Sequence, residues 1–80
     1  MNIIVRNLPR KTTEAELRAL FTPFGLISSL NIVKDEKTNA SKGFGFVEMP
    51  DLKEGKAAIQ ALNGKKIDGE SIRVKSTRKK

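Results

Sequence analysis

The stretch Lys42-Gly43-Phe44-Gly45-Phe46-Val47-Glu48-Met49, KGFGFVEM, decides the fold because its two sides carry different kinds of residue. At a strand's period of two, Phe44, Phe46 and Glu48 point one way and Gly45, Val47 and Met49 the other. Two of the chain's four aromatic residues therefore share a side with a carboxylate, opposite the aliphatic pair. Reversing the assignment buries the rings but drives Glu48 into the core, with no partner there to compensate its charge. The favoured reading is a strand with an aliphatic inner side and an aromatic outer side.

The flanking sequence supplies what such a strand needs. Asn2 to Arg6 is rich in β-branched residues and stops at Asn7-Leu8-Pro9, which reads as a first strand and a loop. Thr13-Glu14-Ala15-Glu16 has the form of a capping box, and Leu17, Leu20, Phe21 and Phe24 follow as one apolar helical stripe. Pro23 and Gly25 end that helix. Ile27 to Lys34 reads as a second strand, with Leu30 and Ile32 inward and Ser29, Asn31 and Val33 outward. Asp35 to Ser41 is a polar loop. Pro50 closes KGFGFVEM, and Asp51 with Glu54 repeats the cap-and-glutamate spacing before a second helix with Ala58, Ile59 and Leu62 inward. Gly55 weakens that helix unless a small residue is needed for close packing. Asn63-Gly64 ends it, Asp68-Gly69 suits a tight hairpin turn, and Ile72 and Val74 point inward from a last strand that leaves Arg73 and Lys75 outward.

The order is βαββαβ, which predicts an α+β, ferredoxin-like sandwich with a four-stranded antiparallel sheet and two helices on one face. Ile3, Val5, Leu30, Ile32, Val47, Met49, Ile72 and Val74 then meet the helices, and Phe44 and Phe46 remain on the open face. One domain over residues 1–76 and a basic tail over 77–80 are expected.

Composition narrows the function. Of 80 residues none is Cys or His, which removes disulfides, thiolate metal sites and the commonest general base. The carboxylates fall mainly at helix starts and in loops, with no activated nucleophile beside them, so neither an enzyme nor a cofactor is expected. The longest aliphatic run, Ile3-Ile4-Val5, is far short of a membrane span, and no membrane partner is expected. The composition suits an intracellular protein, cytoplasmic or, in a eukaryote, nuclear. Net charge is +7, of which Arg73, Lys75, Arg78, Lys79 and Lys80 contribute +5. Such a concentration at one end attracts polyanions.

KGFGFVEM resembles the octamer signature of the RNA recognition motif family at each defined position. Ile3-Ile4-Val5-Arg6-Asn7-Leu8 is similar to that family's hexamer, and the resemblance runs from Asn2 to about Ser76, through Ala58–Gly64 and Ile72-Arg73-Val74. Beginning at Met1 and ending just after the domain, the chain resembles the small single-domain bacterial members. The resemblance implies a monomer that binds single-stranded RNA, or single-stranded DNA on the same rings, without catalysis. Phe46 would then stack a base and Phe44 would pack against ribose or between nucleotides. Lys42 would meet a phosphate, and Arg73 and Lys75 would meet bases or backbone. Asn31 on the second strand and Arg78 in the tail complete the expected set with Ile4 and Arg6. Ile4 stands where the hexamer normally has an aromatic residue, so one stacking platform is missing, and the Arg6 guanidinium offsets part of that loss. Asn39 replaces a common loop glycine, a substitution a positive φ tolerates. The alternative function is a protein-interaction module using the apolar sheet face or the helix side.

Overall fold

The computed structural model describes residues 1–38 and 41–77, with the backbone alone for Ser41 and Lys42. Its elements run β1 (Asn2–Arg6), α1 (Glu14–Phe21), β2 (Ser29–Lys34), β3 (Ser41–Glu48), α2 (Leu52–Leu62), β4 (Lys66–Ile67), β5 (Glu70–Ser71) and β6 (Arg73–Thr77). The main sheet is antiparallel in the order β2-β3-β1-β6, and β4 and β5 form a small separate hairpin. This is the βαββαβ sandwich the sequence predicts.

The alternation of apolar residues places the core. Ile3, Val5, Ile32, Val47, Met49, Ile72 and Val74 are buried beneath Leu17 and Phe21 of α1 and Ala58 and Leu62 of α2. Leu20, Phe24, Leu30 and Ile59 are half-buried against that cluster. The expected stripe of α1 thus closes less tightly at its end: the helix stops at Phe21, and a 3-10 turn with Pro23 carries Phe24 past it. β2 begins at Ser29, two residues later than its composition suggests.

Local chemistry sets the helix starts. The Thr13 hydroxyl accepts from the Glu16 N–H at 3.2 Å, and the Glu16 carboxylate accepts from the Thr13 N–H at 3.0 Å, so the first capping box is complete. The second is half made. Asp51 accepts from the Glu54 N–H at 3.0 Å, but the Glu54 carboxylate turns away and accepts from the Leu26 N–H at 3.2 Å. It ties α2 to the turn after α1 instead of closing its own cap.

Asp68 and Gly69 both have positive φ, 51° and 85°, the backbone a two-residue hairpin turn requires. Asn63 ends α2 and its side-chain oxygen accepts from the Val74 N–H at 3.0 Å, which satisfies a donor on an outer strand of the sheet. The turn expected at Asn39 and the tail residues Arg78, Lys79 and Lys80 lie outside the described residues.

Candidate nucleic-acid interface

Strand pairing arranges the open face in rows. Asn31, Phe46, Ile4 and Lys75 stand opposite one another across β2, β3, β1 and β6. On one side of that row, Phe44, Arg6 and Arg73 form a second. On the other, Ser29, Glu48, Asn2 and Thr77 form a third. Directly opposed side chains in antiparallel strands have Cβ atoms about 4.5–5.5 Å apart, so each row is a contiguous surface.

Phe44 and Phe46 are half-buried on this face, with ring centroids 6.1 Å apart and planes at 87°. That edge-to-face contact fixes the two rings relative to each other. Gly45 between them is buried on the helix side, where a Cβ would stand 2.6 Å from the Asn31 carbonyl oxygen. The glycine lets β3 approach β2 closely at the point where the rings must face out.

Seven of the nine residues expected at the site are brought onto this face: Ile4, Arg6, Asn31, Phe44, Phe46, Arg73 and Lys75. Arg6, Asn31, Arg73 and Lys75 are exposed, and Ile4 is half-buried beside Phe46. For Lys42 the backbone lies in β3, and its side chain is outside the described residues, as is Arg78.

Sequence reasoning missed Arg10. With Arg6, Asn7, Leu8, Gly43 and Phe44 it lines a depression of about 540 Å³ at the end of the sheet. Leu8 and Pro9 are buried, which anchors the loop after β1, and Arg10 lines the same depression as Phe44. The sequence offers only an apolar Leu8-Pro9 pair before a cation, which does not tell which way the loop folds. Asn7 has φ 58°, and its side-chain amide donates to the Ser71 carbonyl at 2.7 Å. It turns the chain out of β1 and pins that end of the sheet to the β4–β5 hairpin. A second depression, lined by Ile4, Arg6, Arg73, Lys75 and Thr77 among others, lies over β1 and β6.

This arrangement offers two rings at fixed angle, an aliphatic neighbour and the exposed cations Arg6, Arg10, Arg73 and Lys75, with no general base or nucleophile among those residues. Such a surface holds flat apolar groups joined by anions, and does so by stacking and charge.

The model of the family described as RNA recognition motif matches residues 3–73. Protein elav of Drosophila melanogaster is 46% identical over 72 residues, which cover 90% of this chain and 15% of that protein. The chain therefore spans a small part of this curated relative. Among solved structures, the crystal structure of RNA Binding Protein PG1 superposes with a TM-score of 0.95 at 35% identity, covering 100% of this chain and 96% of that one. A Sxl-lethal protein/RNA complex superposes with a TM-score of 0.93 at 35% identity, covering 99% of this chain and 47% of the other.

Proposed function

The chain belongs to the RNA recognition motif family, and from that premise we propose that its open sheet face binds single-stranded RNA without catalysis. The observation that carries the reading is the alignment of Phe46 and Phe44 with Arg6, Arg73 and Lys75 on one helix-free surface. Unpaired bases present flat π faces to exposed rings, and the linking phosphates need cations at nucleotide spacing. The solved protein/RNA complex of a relative of the same fold supports the ligand class.

In this reading Phe46 stacks a base, and Phe44, at right angles to it, packs against ribose or the neighbouring nucleotide. Arg6 stands opposite Phe44, with Arg73 opposite Arg6 on the next strand, so both meet the backbone as it passes the end of the sheet. Arg10 extends that cationic end. Lys75 flanks Ile4 at the other side of the platform, and Asn31 offers an amide beside Phe46. Lys42 and Arg78 add phosphate contacts from the entry of β3 and from the tail. The protein acts as a monomer within the cell, and single-stranded DNA competes for the same rings.

Chemical-shift mapping with short single-stranded RNA, repeated with DNA of matching sequence, tests this. The expected result is a footprint on β1, β3 and β6 around Phe44 and Phe46, and affinity that falls steeply with salt. A footprint on α1 and α2, or salt-independent affinity, would overturn it in favour of a protein-binding module.

A further inference from the structure

Glu48 is the one acid among the described outward residues of the four main strands, and the other charges among those residues are Arg6, Arg73 and Lys75. Its main-chain carbonyl accepts from the Ser28 N–H at 2.8 Å and from the Ser28 hydroxyl at 3.2 Å. Its carboxylate has no hydrogen-bond or ion-pair partner among the described residues. A free carboxylate repels the phosphates that the rest of the face attracts, so it stands where base edges pass, not where the backbone does.

We propose that Glu48 makes the stack on Phe46 selective for guanine, an inference that rests on the RNA-binding reading of the open face. Carboxylate oxygens only accept hydrogen bonds. Of the four bases, guanine alone presents two adjacent donors on its pairing edge, N1–H and the exocyclic amino group. Adenine and cytosine each set one donor beside an acceptor, and uracil sets one donor between two acceptors. Facing a carboxylate, those three bring lone pairs against lone pairs, whereas guanine makes a two-bond, charge-assisted contact.

The geometry suits that contact. Glu48 follows Phe46 by two strand positions, about 6.8 Å along β3. At that spacing the edge of a base stacked on Phe46 is within reach of a carboxylate through one hydrogen bond of about 2.8 Å. Asn2 and Ser29 stand opposite Glu48 on its two neighbouring strands, and Asn31 stands opposite Phe46. These residues, with Phe46 and Glu48, line a notch of about 80 Å³. That is room for two or three waters, each taking about 30 Å³ of liquid, or for one base edge, and too little for a whole base. Its amide and hydroxyl groups supply donors for the guanine O6. The charge gradient fixes the ligand's orientation, with phosphates toward Arg6, Arg10 and Arg73 and the discriminating edge toward Glu48.

The test is fluorescence anisotropy with uridine octamers carrying one central guanosine, inosine, adenosine, cytidine or no substitution, on the wild type and on Glu48→Gln. The wild type is expected to bind the guanosine oligomer roughly tenfold tighter than the all-uridine one, the worth of one charge-assisted bond. Inosine, which lacks the exocyclic amino group, loses most of that advantage. Glu48→Gln replaces one acceptor with a donor and brings the guanosine-to-uridine ratio close to one, while all-uridine binding is kept or strengthened as the repulsion disappears. Equal affinity for all five oligomers, or a ratio that survives Glu48→Gln, overturns the guanine assignment and leaves RNA binding standing. Failure of every oligomer to bind would remove both readings.

Discussion

Ile4 stands directly opposite Phe46 in the β1–β3 ladder, with Lys75 opposite Ile4 on its other side. The place next to the stacking ring is thus filled by an aliphatic chain, and both rings of the face belong to β3, 6.1 Å apart and edge to face. A strand of nucleotides crossing β1 finds contact area there but no π face. On the proposed interface the platform is therefore one-sided, and the charges around it are expected to carry a larger share of the affinity.

Ile4→Tyr supplies the absent ring. The position is half-buried on the open face and the substitution adds its bulk toward solvent, so the core is untouched. A base stack is worth roughly 1–3 kcal/mol, and recovering part of one should tighten RNA binding about tenfold. Titration of a short single-stranded RNA measures it. Unchanged affinity would mean that Arg6 or the local geometry already occupies the nucleotide that would stack there.

Phe46→Ala removes the central ring. It should weaken RNA binding by roughly 1–3 kcal/mol while the helix content and the cooperative unfolding transition persist, because the ring faces away from the helices. Circular dichroism and a binding titration on the same sample separate the two effects. A variant that fails to fold would place the ring in the core and contradict the register of β3 with β1 and β2.

Arg6, Arg10, Arg73 and Lys75 should act through phosphates. For single strands the slope of log affinity against log salt is about −0.7 per phosphate neutralised. Changing any one of the four to Ala should flatten the slope by about that amount and weaken binding similarly for every sequence. Titrations at about 50 and 200 mM salt measure it. Arg10→Ala with an unaltered slope would confine the interface to the sheet proper.

The strands, the two helices and the sidedness of β3 were legible because burial writes itself into period two and period 3.6. The inner set from Ile3 to Val74 and the outer placement of Phe44, Phe46, Arg73 and Lys75 follow from that alone. Pair registers do not, since alternation says which face a residue takes and not which residue stands opposite. Hence the row of Ser29, Glu48 and Asn2 emerged only with the ladder. Glu54 illustrates the limit of local motifs: its spacing from Asp51 matches a capping box, yet its carboxylate is taken by the Leu26 N–H, a partner 28 residues away. Arg10 was hidden for a similar reason, because its position depends on Leu8 and Pro9 anchoring the loop.

Two glycines provide a paired test of how the sheet is held. A Cβ on Gly45 would lie 2.6 Å from the Asn31 carbonyl oxygen and 3.2 Å from the Ile32 Cα. A Cβ on Gly55 would lie 2.6 Å from the Met1 sulfur. The first obstacle is backbone in the β2–β3 ladder, which can move only if the strands part. The second is the flexible thioether of Met1, whose main chain is fixed by the Met49 N–H bond to its carbonyl at 3.0 Å but whose side chain can rotate away. Gly45→Ala should therefore lower stability by roughly 1–3 kcal/mol, as overpacking does, and weaken RNA binding further by splaying Phe44 and Phe46. Gly55→Ala gains up to about 1 kcal/mol of helix propensity and gives some of it back in displacing Met1, so it should be neutral or mildly stabilising with RNA affinity unchanged. Urea unfolding of both variants, followed by titration under conditions where each is folded, measures the contrast. Equal stability losses would show that Met1 is as firmly held as the strand backbone, and no loss at Gly45 would show that β2 and β3 can separate there without cost to the fold.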